Sequence, residues 1–480
     1  MASRFRERYL GDRAFYSTVL RIILPIVIQQ GVAQFVGLLD NVMVGSLGTL
    51  PMSGVAIVNQ VIFVYNLAVF GGLAGASIFG AQFFGKKDQE GIRYTLRYRL
   101  IFSVGVFLIG LTVFLLFGES LFRLFLPEGA SDPADIAATL QFARDYLGVM
   151  LWGLLPFVLT QCLSGVLRDV GETFSSMVAS VIAIGVNLAL NYLLIFGKLG
   201  LPALGVTGAA IATVISRYVE LGYLFLRTMR RREKFPFLKG ALRSLRVPLP
   251  LAKKITVTGL PLLFNEFLWS LSTAAIMACY AARGLDAVAA TNISNTVWNV
   301  FSIVMMSMGN AVGILIGQIL GSGDIPGAKA AVRKLLFFSV AANLVMGVLI
   351  VVTAPYLPYI YNTEDVVRQA ATGQLIIAGC FMPVYAFTNG AYFTIRSGGK
   401  TFITFLSDCV FSWVICFPIA WVCAYLTDMN VVWIYFFVQC AELLKAALGY
   451  AMMRSGIWAN NVVAEKKYEE DLGGSAERKA

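Results

Sequence analysis

The chain has 480 residues, 58% of them hydrophobic and only 14% charged, which leaves too little polar surface for a soluble protein of this size and places it in a membrane. Lys and Arg (38) outnumber Asp and Glu (27), for a formal net charge of +11, and there is no histidine. That lack excludes Ser-His-Asp catalysis, histidine-based zinc motifs and histidine proton relays.

A spanning helix needs roughly 20 mainly apolar residues. In chain order such runs fall near 19–45, 53–83, 98–118, 146–167, 173–196, 203–226, 255–281, 288–320, 333–354, 372–395, 402–426 and 431–453. The expectation is an all-α polytopic membrane protein with twelve transmembrane helices, the long second and eighth runs extending into loops. The first run carries Asp40, with no adjacent basic residue. At 100° per residue Gln29, Gln30, Gln34, Asp40 and Asn41 share an arc of about 140°. A polar stripe in a membrane bundle implies water or ligand, since charge in hydrocarbon is costly; capping the outer end of the helix is the plainer role for Asp40. Gly71, Gly72, Gly75, Ala76 and Gly80 on the second run would let a neighbouring helix approach closely.

On the fifth run Asn187 and Asn191 are one turn apart and can reach the same space. Arg217 and Glu220 on the sixth are spaced to pair with each other, as are Glu442 and Lys445 on the twelfth. Glu266, beside Asn265 on the seventh, is a candidate ion or cation site unless a Lys or Arg neutralises it. On the eighth, Asn292, Asn295, Asn299, Ser302 and Asn310 fall within about 80° of arc. Hydrogen bonds between helices would explain either asparagine set equally well. Asp408 on the eleventh is expected to meet Lys400 or Arg396. All seven cysteines fall in the predicted spans and read as small packing residues; Cys409, Cys416 and Cys423 share a helix face but are about 10 Å apart in succession, too far to share a metal.

The basic residues alternate sides. Arg4, Arg6, Arg8 and Arg13, then Lys86, Lys87, Arg93, Arg97 and Arg99, then ten Lys or Arg between 227 and 254 all fall on one side. On the other, residues 46–52 have no Lys or Arg and 119–145 is mostly acidic, with Glu119, Glu128, Asp132, Asp135 and Asp145. By the positive-inside rule both termini and the linker are cytoplasmic, so the charge reports topology and not nucleic-acid binding. The basic start followed by a full-length span is not a cleavable signal peptide.

The chain also repeats itself. Pro25 and Pro261, Gly48 and Gly284, Asn59 and Asn295, Gln82 and Gln318, Gly85 and Gly321, Asp88 and Asp324, and Arg97 and Arg333 all differ by 236, and Arg168-DVGET matches Arg396-SGGKT at 228. Six spans per copy is an even number, so the two bundles are expected to be related by a pseudo-two-fold axis along the membrane normal. The expected organisation is an N-terminal bundle (1–226), a basic cytoplasmic linker (227–254), a C-terminal bundle (255–453) and a charged cytoplasmic tail (454–480).

Asp40-NVMVG, the loops GVLRDVGET and TIRSGGKT, and the segment NYLLIFG followed by GVTGAAIAT resemble the multidrug and toxic compound extrusion (MATE) family over nearly the whole chain. The resemblance implies export of organic cations or amphipathic drugs in exchange for H⁺ or Na⁺, by a multi-pass protein of the cell membrane, with no cofactor and as a monomer. The family's first-span acid is matched by Asp40, which would carry the proton or Na⁺. A fifth-span acid of some relatives is replaced by Asn191, and a tenth-span acid by Tyr385. The substrate and ion site is thus expected among Asp40, Gln34, Asn187, Asn191, Glu266, Asn295 and Asn299. A flippase of lipid-linked precursors from the same superfamily is the alternative, though its pyrophosphate headgroup would call for several mid-membrane cations. No nucleophile-base pair, metal cluster or phosphate loop points to an enzyme.

Overall fold

The computed structural model describes residues 7–126 and 132–464; Arg4, Arg6, Glu128 and most of the expected charged tail (465–480) lie outside the described residues. Twelve helices are long and apolar enough to cross a membrane, and no strand occurs among the described residues. They are α1 (Arg13–Gly45), α2 (Thr49–Lys86), α3 (Gln89–Arg123), α4 (Pro133–Asp169), α5 (Thr173–Phe196), α6 (Gly205–Arg230), α7 (Leu249–Ala281), α8 (Leu285–Gly321), α9 (Ile325–Thr353), α10 (Asp365–Ser397), α11 (Thr401–Tyr425) and α12 (Val431–Ser455).

Two expectations about element ends are corrected. The second and eighth runs do not pass into loops: α2 and α8 are unbroken helices of 38 and 37 residues, because neither contains a proline after its first turn. At 1.5 Å per residue each is about 55 Å long and must project beyond a hydrocarbon core of about 30 Å. The acidic stretch before span four is likewise largely helical. Asp132 caps it by accepting from Ala134 N at 3.0 Å, Pro133 fills the first turn, and a 3₁₀ turn at Leu151–Gly153 joins this piece to the rest of α4. In α11, π-helical turns occupy Leu406–Val410 and Ser412–Cys416, and such bulges frequently accompany functional positions.

The chain forms two compact units: one of residues 28–80 and 89–252, the other of residues up to Val27, 81–88 and from Lys253 onward. In the first, Val58, Leu147, Leu154, Val158 and Ala210 belong to one buried cluster. The glycine-rich sixth run now has a cause. A Cβ on Gly208 would lie 2.7 Å from the carbonyl oxygen of Leu194, so only glycine lets α6 lie this close to α5. Gly197 closes α5 in the left-handed conformation at φ 63°.

In the second unit the duplication leaves a reciprocal contact. A Cβ on Gly85 would lie 1.8 Å from Gln318 O, and one on Gly321 would lie 1.9 Å from Gln82 O. Gly85 and Gly321, like Gln82 and Gln318, are the pairs spaced by 236. Gln82, fully buried, also donates to Ser397 O (2.8 Å) and Asn460 O (3.2 Å) and accepts from Val462 N (2.8 Å). These bonds fasten the segment after α12, whose Trp458 is buried.

Candidate functional site

In the first unit, α1, α5 and α6 converge on one carboxylate. Asn191 Nδ2 donates to Asp40 Oδ1 at 2.6 Å and to Asn187 Oδ1 at 3.3 Å, and Asn187 Nδ2 donates to Thr213 Oγ1 at 3.3 Å. Turned over, the Asn187 amide donates to Asp40 Oδ2 at 3.1 Å and accepts from Thr213 Oγ1 at 3.3 Å. Asn187 and Asn191 are buried, and Asn191 Oδ1 has no hydrogen-bond partner among the described residues. Among the described residues no Lys or Arg pairs with Asp40. An ionised Asp40 therefore meets amide donors only. A protonated Asp40, or one holding Na⁺, needs an amide oxygen instead, which rotation of the same side chains supplies.

Eleven residues earlier on α1, about 16 Å along the axis, a second network joins the same helices. Gln29 Nε2 donates to Ser180 Oγ at 2.7 Å, and Ser180 Oγ donates to Glu220 Oε1 at 2.5 Å. The expected pairing of Glu220 with Arg217 is not made. Arg217 instead donates to Gly153 O at 3.1 Å and lies over the Phe157 ring, 5.0 Å from its centroid. Gln34, placed in the site by its arc on α1, is exposed and its side chain hydrogen-bonds to no described residue.

In the second unit, Asp408 sits in the first π turn of α11. It accepts from Lys445 Nζ at 2.6 Å and from Asn265 Nδ2 at 3.0 Å, so its cation is Lys445 and neither Lys400 nor Arg396. Lys445 also lies 3.8 Å from Glu442, the helix-spaced pair expected from sequence, and Thr388 Oγ1 donates to Glu442 at 3.5 Å. The Glu266 side chain, half-buried, has no hydrogen bond or ion pair among the described residues, and feels the charges of Arg396 and Asp408. Asn295 and Asn299 are exposed on α8, and neither side chain bonds to a described residue. Tyr385 donates to Gln439 and packs on Trp298, ring centroids 5.1 Å apart.

The MatE family model matches residues 25–193 and 261–426, one stretch in each copy of the repeat. The chain belongs to the MATE family of transporters. It is 24% identical to the probable multidrug resistance protein NorM of Thermotoga maritima over 461 residues, which cover 95% of this chain and 96% of that protein. It is 24% identical to the multidrug resistance protein MdtK of Pectobacterium atrosepticum over 434 residues, covering 88% and 90%. Its fold matches a crystal structure of MATE in the bent conformation with a TM-score of 0.83 at 21% identity, covering 94% of this chain and 96% of that one. The outward-facing conformation of a multidrug resistance MATE family transporter of the MOP superfamily matches with a TM-score of 0.81 at 20% identity, covering 94% and 97%.

Sequence reasoning about this MATE protein missed two connections. Ser180 bridging Gln29 to Glu220 had no signal, because a lone serine in an apolar run is ordinary. The Lys445–Asp408 pair spans 37 residues, beyond any helix-spacing rule.

Proposed function

We propose that this MATE transporter exports organic cations or amphipathic drugs across the cell membrane in exchange for H⁺ or Na⁺ by alternating access, with Asp40 as the group that carries the ion. The observation that carries this reading is a membrane-span carboxylate held only by rotatable amides, Asn191 at 2.6 Å among them, so it can change occupancy without breaking an ion pair. Intramembrane carboxylates are functional by default, and Asn191 Oδ1, buried and unpartnered, suits either a protonated carboxyl or Na⁺. The relatives' names, multidrug resistance proteins NorM and MdtK, support the substrate class. Glu266, whose side chain has no direct partner among the described residues, attracts the cationic substrate, with Asn295 and Asn299 as further polar contacts. Both termini and the 227–254 linker are cytoplasmic by charge, and the working unit is a monomer in the lipid bilayer.

The flippase alternative finds less support. Of the mid-span cations, Lys445 is neutralised by Asp408 and Glu442 and Arg217 is engaged by Gly153 O and the Phe157 ring, so neither is offered to a pyrophosphate. One fold relative from Pyrococcus furiosus is nevertheless described as having a binding pocket of reversed polarity that suggests a different function.

The test is export of a cationic dye from proteoliposomes, with Na⁺ and pH gradients imposed separately. Asp40→Asn keeps an acceptor for Asn191 but removes the titrating group, so gradient-driven export should collapse while dye binding survives. Full gradient-dependent export by Asp40→Asn, with loss in Glu266→Gln, would assign coupling to the second half.

A further inference from the structure

The linker between α6 and α7 folds back onto α3. Arg93 Nε donates to Phe237 O at 3.2 Å; Arg97 donates to Ala241 O at 3.0 Å, to Gly240 O at 3.1 Å and to Arg246 O at 3.2 Å. Gly240 makes the turn at φ 75°, and Phe235, Phe237 and Ala241 are buried. Beneath this roof α3, α4 and α6 leave a cavity of about 720 Å³, within the range of roughly 300–1,000 Å³ usual for small-ligand pockets.

Its walls are three apolar stripes, each an i, i+4 pair: Leu96 and Leu100 on α3, Leu159 and Leu163 on α4, Phe225 and Met229 on α6. Gly222 continues the α6 stripe, and a Cβ there would meet no atom within 4 Å, so the space over it is open. The one charged residue in the lining is Arg243 of the linker, exposed and with no ion pair or side-chain hydrogen bond among the described residues. Arg230 and Arg231, which line a separate cavity of about 300 Å³, lie at the end of α6 with the same sign of charge.

We propose that this cavity binds one acyl chain of an anionic phospholipid, whose phosphate is held by Arg243. An apolar slot at the ends of membrane spans is bathed in lipid, and basic residues there attract anionic headgroups. The same arginines repel a cationic drug, so the slot is not a second substrate site. The proposal rests on the membrane reading above, with the linker at the cytoplasmic face.

The delipidated protein is titrated with phosphatidylglycerol or chain-matched phosphatidylcholine, and bound lipid is counted by native mass spectrometry. One phosphatidylglycerol should be retained in preference to phosphatidylcholine. Arg243→Gln should weaken phosphatidylglycerol retention about fivefold and leave phosphatidylcholine unchanged. Gly222→Phe, which grows into open space, should expel both. In case Gly222→Phe does not fold, a phosphatidylglycerol bearing a diazirine in its acyl chain should cross-link wild-type protein within 96–100, 159–163 or 222–229. Equal retention of both lipids, retention unmoved by Gly222→Phe, cross-links confined to other segments, or a mass of two chains in place of a lipid adduct would each overturn the proposal. Neither substituted residue touches the Asp40 cluster, so a failed lipid result leaves the antiport reading standing, and a failed Asp40 result leaves this one.

Discussion

Arg99 on α3 and Asp169 at the end of α4 are ion-paired, and both are almost wholly buried, at 1% and 4% exposure. Arg99 Nη2 also donates to Ser77 Oγ on α2 at 2.9 Å. Two glycines make room for the pair: a Cβ on Gly80 would lie 2.3 Å from Asp169 Oδ2, and one on Gly165 would lie 2.0 Å from Arg99 Nη1. Arg99→Met takes the ion-pair partner from a buried carboxylate and Asp169→Leu takes it from a buried guanidinium. Each should cost about 3–5 kcal/mol, the toll of leaving one charge of a buried pair uncompensated. The double variant buries neither charge and should be far milder, because replacing both members by apolar groups of similar size is often neutral. The assay is SDS titration of protein in mixed micelles, followed by tryptophan fluorescence, on both single variants and the double. A coupling of about 2 kcal/mol or more is expected, well above the roughly 0.5 kcal/mol within which independent sites add. Single losses below about 1 kcal/mol, or losses that simply add, would refute the claim that the two charges depend on each other.

Other consequences follow from close approach and charge. Gly85→Val and Gly321→Val should each abolish monodisperse protein on size exclusion, because even a Cβ would fall 1.8 or 1.9 Å from a backbone oxygen; well-folded protein from either would contradict the contact. Burial pushes the Glu172 carboxyl up, but the hydrogen bonds from Lys234 and Ser175 and the charges of Lys234 and Arg231 outweigh it and hold it below its ordinary value of 4.5. Its folded value is depressed, so its stabilising contribution is present above pH 4.5 and fades as pH falls through the lower folded value. Glu172→Gln should therefore melt earlier than wild type at neutral pH, and the gap should close in strong acid; a gap constant with pH would count against it. Lys445→Met removes the cation of Asp408 and Glu442 and should cost about 3–5 kcal/mol, while the ion-to-dye stoichiometry of the surviving protein stays unchanged in the proteoliposome assay.

The span pattern is legible in the sequence because lipid forces long apolar runs, and the duplication is legible because contacts as close as Gly85 on Gln318 tolerate only glycine. Charge misleads where helices leave the bilayer: Asp132, Asp135 and Asp145 look like a loop, yet Asp132 is a helix cap. Local spacing is also an unequal guide. It brings Glu442 to Lys445 but fails for Arg217 and Glu220, because a backbone oxygen and an aromatic ring claim the arginine first. The Asp40 cluster is half legible. One-turn spacing joins Asn187 to Asn191 and the family resemblance puts Asp40 in one site with them, but nothing in the sequence says that Gln34 on the same arc stays exposed.

The two copies of the repeat keep their backbone signatures, such as Pro25 inside α1 and Pro261 inside α7, while their titratable chemistry has diverged. In the second unit Asp408 and Glu442 share Lys445, and releasing that lysine to admit an ion would leave buried charges unmatched. In the first, Asp40 faces neutral amides whose rotation exchanges a donor for an acceptor without separating charges. On the antiport proposed above, the ion site is filled and emptied in every cycle, so a site reset by turning an amide is the cheaper place to do it. The proposed coupling role therefore falls to Asp40, while the Asp408–Lys445–Glu442 trio ties α11 to α12, and Thr388 of α10 to Glu442.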